Sequence, residues 1–165
     1  KSEVEVLPLF GFLAKLSRTI FISRNRSKSL DQKNKIFKSL SSDEKVFIFP
    51  EGTTSDGNRV LDFKSSSFSA LEGQHLIIQP IVIVYSDLNG IPINRWLRPV
   101  IAWYGDMDLK PHLSKLASLR SIKSRLIYLD KVNAKNFSSR KNLCKHLENK
   151  IKKVYSSALS KKLAK

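Results

Sequence analysis

The polar groups best placed for chemistry stand together at residues 51–55: a carboxylate (Glu51), a glycine (Gly52) and three hydroxyls (Thr53, Thr54, Ser55). They follow the short apolar run V-F-I-F at residues 46–49 and a proline, Pro50. The run reads as a buried strand, and Pro50 ends its ladder because it has no N–H to donate. Polar residues at the C-terminal end of a core strand sit where open α/β sheets place their ligands. P-E-G-T also suits a plain hairpin or a strand-to-helix turn. A second candidate is Arg24, at the end of the I-F-I run at residues 20–22. It is either a solvated strand terminus or an anion holder, since guanidinium matches phosphate with two parallel hydrogen bonds.

The elements that must position these groups follow from the apolar pattern. Residues 9–16 suggest a short helix with Phe12, Leu13 and Leu16 on one face, serving either as core or as a wall for a lipid chain. Residues 27–40 read as an amphipathic helix with Leu30, Ile36, Phe37 and Leu40 inward. D-G-N at residues 56–58 is a turn signal. Residues 76–85 form the most apolar strand, with Pro80 marking a bulge or an edge. Residues 87–92 are a loop, residues 100–104 (V-I-A-W-Y) and 125–129 two further strands, and residues 105–108 a turn with two acids. A basic amphipathic helix over about 139–160 puts Leu143, Leu147, Ile151 and Val154 on one face. That helix either closes the domain or lies on an anionic bilayer. Strands alternating with helices predict an α/β fold with a mixed, largely parallel sheet flanked by helices.

The chain has 165 residues, enough for a single domain spanning residues 1–165, and an apolar fraction of 41% fits a folded core. Thirty Lys and Arg against 14 Asp and Glu give a net charge of +16, which suits a polyanion such as nucleic acid or an anionic membrane surface. Most of that excess is lysine spread along the chain, so charge by itself names no partner. No apolar run approaches the roughly 18–20 residues that span a bilayer. The single Cys144 leaves no intrachain disulfide and reads as a small helix residue. His75, His112 and His146 lack metal-ligand spacing. Glycine-rich phosphate loops, a G-x-S-x-G elbow and RNA-recognition signatures are missing from the sequence.

F-P-E-G-T-T-S at residues 49–55 closely resembles the F-P-E-G-T-[RT]-S block of the glycerolipid acyltransferases, the lysophosphatidic acid acyltransferase family. T-I-F-I-S-R at residues 19–24 is similar to that family's G-x-x-F-I-x-R element, with Arg18 and Thr19 at the usual glycine position. Q-P-I-V-I at residues 79–83 is similar to its V-P-V-x-[IV] strand, and residues 1–11 to the segment before the second block. W-Y-G-D-M-D-L at residues 103–109, followed by His112, looks like a bacterial subgroup. The blocks come in the family's order and cover most of the chain. One departs: the family's His and Asp, separated by four residues, are not found. The fifth residue after each histidine is Pro80, Ala117 or Ile151. Because the chain begins at Lys1 rather than Met, the expectation is a piece starting just after that dyad and inactive without it.

The resemblance implies a glycerol-3-phosphate acyltransferase-like fold and transfer of a fatty acyl group from acyl carrier protein or coenzyme A to a lysolipid hydroxyl. The thioester is a co-substrate, and no cofactor or metal is implied. A hydroxyl needs a positioned base, which the family's His supplies and its Asp orients. By resemblance Arg24 contacts the acceptor's phosphate, with Lys1 beside it. Residues 51–55 form the adjoining turn, in which Thr53 and Ser55 bond either ligand or turn, and Lys64 is a lesser headgroup contact. Thr54 stands where many members carry Arg, so a phosphate would lean more on Arg24. The first expectation is lysophosphatidic acid as acceptor, giving phosphatidic acid, and the alternative is another lysolipid such as lyso-ornithine lipid. A catalytically silent basic module binding lipid or nucleic acid is the rival class; nucleic acid would leave the ordered blocks as coincidence. The expected location is the cytoplasmic face of the cell membrane, held peripherally.

Overall fold

The computed structural model describes residues 29–42 and 44–160. Lys1, Arg24, the expected helix at residues 9–16 and the expected strand at residues 20–22 lie outside them. The chain divides into two compact units, Lys1–Phe49 with Ser69–Leu71, and Pro50–Phe68 with Glu72–Lys165.

In the first unit, helix α1 spans Ser29–Ser41, close to the expected 27–40. It ends where Ser42 N–H reaches the Lys38 and Ser39 carbonyls while the Ser41 and Ser42 hydroxyls donate to Phe37 and Lys38 carbonyls. These bonds satisfy carbonyls that the last turn leaves open. Residues 46–49 alternate half-buried Val46 and Ile48 with exposed Phe47 and Phe49, the period of a one-sided strand. They nevertheless pair with no described strand, so the expected core strand is not formed there.

The second unit holds two sheets. Strands β1 (Ile77–Ile78) and β5 (Val132–Asn133) pair antiparallel. Strands β2 (Ile81–Leu88), β3 (Ile91–Pro92) and β4 (Ile122–Tyr128) form a three-stranded sheet in the order β3-β2-β4, again antiparallel. The expected long strand at residues 76–85 is thus broken at Pro80. The Gln79 side chain donates to the Leu129 carbonyl and Leu129 N–H donates to Pro80 O across the break. The ladder also slips between Tyr85 and Asp87.

The largely parallel sheet is corrected: every described strand pair is antiparallel, within a mixed α/β chain. Alternating apolar segments set the order of elements and leave strand direction open. For β2 and β3 the direction comes from the turn at Asn89 and Gly90, both at positive φ (54° and 82°), which forms a tight hairpin where a plain loop was expected. Asn89 Oδ1 also accepts Arg120 and Ser121 N–H, locking β2 to the start of β4.

The expected strand at residues 100–104 begins instead with a one-turn helix, α2 (Arg98–Ile101), and its remainder joins no strand. Asn94 Oδ1 accepts Trp96 and Leu97 N–H ahead of it, and Pro99 fits the first turn; these start signals override an apolar run. Helix α3 (Leu109–Ala117) carries buried His112. The loop before it is closed by Trp103 Nε1–H to Met107 O at 2.7 Å. After a short 3-10 turn, η2 (Ala134–Asn136), helix α4 runs over Arg140–Ser160, near the expected 139–160.

Helix α4 packs on β2 and on the 3-10 turn η1 (Ser65–Phe68). Leu143 and Leu147, one helical turn apart, are buried, as are Val82 and Val84 of β2 and Phe68 of η1. This face is core, so α4 closes its unit. No helix among the described residues is long and apolar enough to cross a membrane.

Candidate acceptor-binding turn

Two hydrogen bonds lace the turn that begins at Pro50 to the segment at residues 61–64. Lys64 N–H donates to Pro50 O at 2.7 Å, and Leu61 N–H donates to Glu51 Oε2 at 2.6 Å. Glu51 is half-buried, and burial raises its carboxyl above the usual range against the Leu61 bond and the Lys152 charge, which lower it. Gly52 sits at φ +66°, where L side chains are strained, and a Cβ there would lie 3.5 Å from Lys64 Cγ. Glu51, Gly52 and Lys64 therefore come together. Thr53 and Thr54 are exposed and make no hydrogen bond among the described residues.

Ser55 belongs to the next turn. Its hydroxyl donates to Arg59 O at 3.0 Å and accepts Gly57 N–H at 3.2 Å. Asp56 accepts both the N–H and the side-chain amide of Asn58, and these bonds hold its carboxyl below the usual range. The D-G-N turn is formed as its residues dictate, with Gly57 at φ +78°.

Helix α4 fixes this region from behind. Glu148, buried, accepts Phe63 N–H at 2.9 Å through Oε2 and pairs with Lys145 (3.1 Å) and Lys152 (3.0 Å) through Oε1. Burial alone would raise its carboxyl, but the Phe63, Lys152 and Lys145 bonds outweigh that and hold it at about 2. Lys152 also reaches Asp62 at 2.6 Å. Tyr155 donates its hydroxyl to Gly57 O. Cys144, buried beside Phe63 O, has its thiol pushed up by burial and by Glu148, which suits a packing residue.

Glu148, Tyr155 and Arg98 escaped the sequence reading, as did the role of Asn58 beyond its turn. Arg98 Nη1 donates to Asn58 Oδ1 at 2.9 Å, across 40 residues of sequence, and no local pattern announces such a bond. Arg24 and Lys1 lie outside the described residues. The described residues form a turn with two exposed threonine hydroxyls and the exposed Lys64 beside it. Its one carboxylate, Glu51, is already committed to a backbone N–H.

The Acyltransferase family model matches residues 1–84. The chain is similar to the lyso-ornithine lipid O-acyltransferase of Brucella abortus, 35% identical over 167 residues that cover 96% of this chain and 62% of that protein. It is similar to the enzyme of the same name from Rhizobium meliloti, also 35% identical, covering 96% and 57%. The 1-acyl-sn-glycerol-3-phosphate acyltransferase of Neisseria meningitidis is 26% identical over 155 residues, covering 93% and 58%. The chain thus spans about three fifths of the length of these curated relatives. No solved structure matches it.

Proposed function

Since the chain belongs to the Acyltransferase family, we propose that its protein acylates the hydroxyl of lyso-ornithine lipid, taking the acyl group from a thioester of acyl carrier protein or coenzyme A. The observation that carries this choice is the pattern of likeness: relatives named for lyso-ornithine lipid reach 35% identity over 96% of the chain, against 26% for the N. meningitidis relative named for the glycerophosphate acceptor. Lysophosphatidic acid, the first expectation from the motifs, becomes the second reading.

Thr54 supports the same choice. Arg in its place would offer a phosphate a charge-assisted bond worth roughly 1.5–3 kcal/mol, whereas a neutral hydroxyl offers about 1. An acceptor without that phosphate loses nothing by the exchange. In this reading Arg24 and Lys1 contact the headgroup. Gly52 lets the backbone approach, Thr53 and Thr54 supply hydroxyls from the exposed rim, and Lys64 flanks the turn. Proton removal from the acceptor hydroxyl needs a positioned base, the part that the family's His plays by resemblance. The work is done at the cytoplasmic membrane face, with Lys141, Lys145 and Lys153 of α4 exposed toward anionic lipid.

The experiment is an exchange at position 54 in the full-length protein. Thr54→Arg should raise kcat/KM for lysophosphatidic acid relative to lyso-ornithine lipid by about tenfold, as expected for one added charged bond. An unchanged ratio would remove Thr54 from acceptor selection.

A further inference from the structure

A cleft of about 520 Å³ opens between the loop at residues 58–60 and the last turns of α4. Arg59, Arg98, Lys152, Tyr155, Ser156 and Leu159 line it, and no Asp or Glu does. Its three cations differ in how far they are already engaged. Lys152 is committed to Glu148 and Asp62. Arg59 and Arg98 form no ion pair with a carboxylate among the described residues. Asp56, whose charge bears on Arg59, is itself held by Asn58.

Arg98 gives one Nη to Asn58, while its Nε–H is buried and has no hydrogen-bond partner among the described residues. An orphaned buried donor is rare in folded proteins, and here it belongs to a group that stays charged at every physiological pH. Guanidinium offers Nε–H and Nη–H along one planar edge, the geometry that grips two oxygens of one anion. Tyr155 holds Gly57 O, so the loop that carries Asn58 and Arg59 is tied to the opposite wall.

We propose that this cleft is an oxyanion subsite in which Arg98 and Arg59 hold a carboxylate or a phosphate. Two sources share that chemistry: the carboxylate of an N-acylated amino-acid headgroup, and the phosphates of coenzyme A. The two sources rest on the acyl-transfer reading, while the subsite itself is tested by binding without turnover.

The test is titration calorimetry of the full-length protein with N-acetylornithine and, separately, coenzyme A. At least one should bind, and its affinity should fall about tenfold or more in Arg59→Ala, which removes a charge-assisted contact, and in Arg98→Lys, which removes the paired Nε–H and Nη–H edge. Loss confined to N-acetylornithine assigns the cleft to a headgroup; loss confined to coenzyme A assigns it to the donor. The exposed Arg59 side chain makes no hydrogen bond among the described residues, so Arg59→Ala should melt at the wild-type temperature and keeps the test valid if Arg98→Lys misfolds. Binding of neither ligand, or wild-type affinity for both in Arg59→Ala, overturns the subsite. A protein that binds but transfers no acyl group keeps the subsite and loses the acyltransferase reading.

Discussion

At Gly52 the backbone is at φ +66°, and the space around it is ordinary, with Lys64 Cγ 3.5 Å from where a Cβ would sit. Conformational strain therefore decides the effect of a substitution there. Gly52→Ala should destabilise the fold by about 1–2 kcal/mol, read as a lower denaturant midpoint at unchanged slope. Glu51 is legible in sequence as a candidate ligand contact, yet its carboxylate is spent locally, accepting Leu61 N–H ten residues on. Arg24 carries the headgroup contact in the proposed function, so Arg24→Ala in the full-length enzyme should raise the acceptor KM about tenfold with kcat little changed. Unchanged acceptor kinetics would take Arg24 out of the site. The motif turn was readable because Pro, Gly and hydroxyl residues act locally. Glu148 was not, because its partner Phe63 is 85 residues away and a Glu in a lysine-rich helix looks solvated.

Helix α4 is the element on which the site's rear wall depends, through Glu148. This carboxyl sits at about 2 when folded, below its ordinary 4.5. A depressed acid contributes stability that is fully present above pH 4.5 and is lost as pH falls through 2. The contribution is on the order of 3–4 kcal/mol, from about 1.4 kcal/mol per pH unit over the shift from 4.5 to about 2. Melting temperatures of the wild type should therefore fall steeply between pH 4.5 and 2, and Glu148→Gln should flatten that fall. An equally steep fall in Glu148→Gln would place the acid sensitivity elsewhere. Glu51 acts with the opposite sign, its raised carboxyl favouring the fold at lower pH, so it cannot produce the acid loss. At this scale α1, α4 and the strands β2 and β4 were legible as segments from apolar patterning, although Phe37 of α1, expected inward, is exposed and β4 buries no residue. Strand direction was not, because β2 reverses into β3 through the left-handed Asn89–Gly90 turn, while β2 with β4 and β1 with β5 pair over long sequence separations. The helix at Arg98 was missed because Asn94 and Pro99 outweighed the β-branched residues after them.

For the whole molecule, the +16 charge gains meaning from the fold. Lys145, Lys150 and Lys152 are partly spent on Glu148, Asp130 and Asp62, so the excess is less of a free polyanion surface than composition suggests. Family membership was readable from short blocks in order, whereas the acceptor was not, because the chain is similar to relatives named for different lysolipids. The acceptor is what a competition assay tests most directly. The full-length protein would be given lyso-ornithine lipid and lysophosphatidic acid together, with one radioactive acyl thioester. Radioactive ornithine lipid should dominate the products, with kcat/KM at least about tenfold higher, the worth of a single charged contact. Preferential formation of radioactive phosphatidic acid would contradict lyso-ornithine lipid as the acceptor.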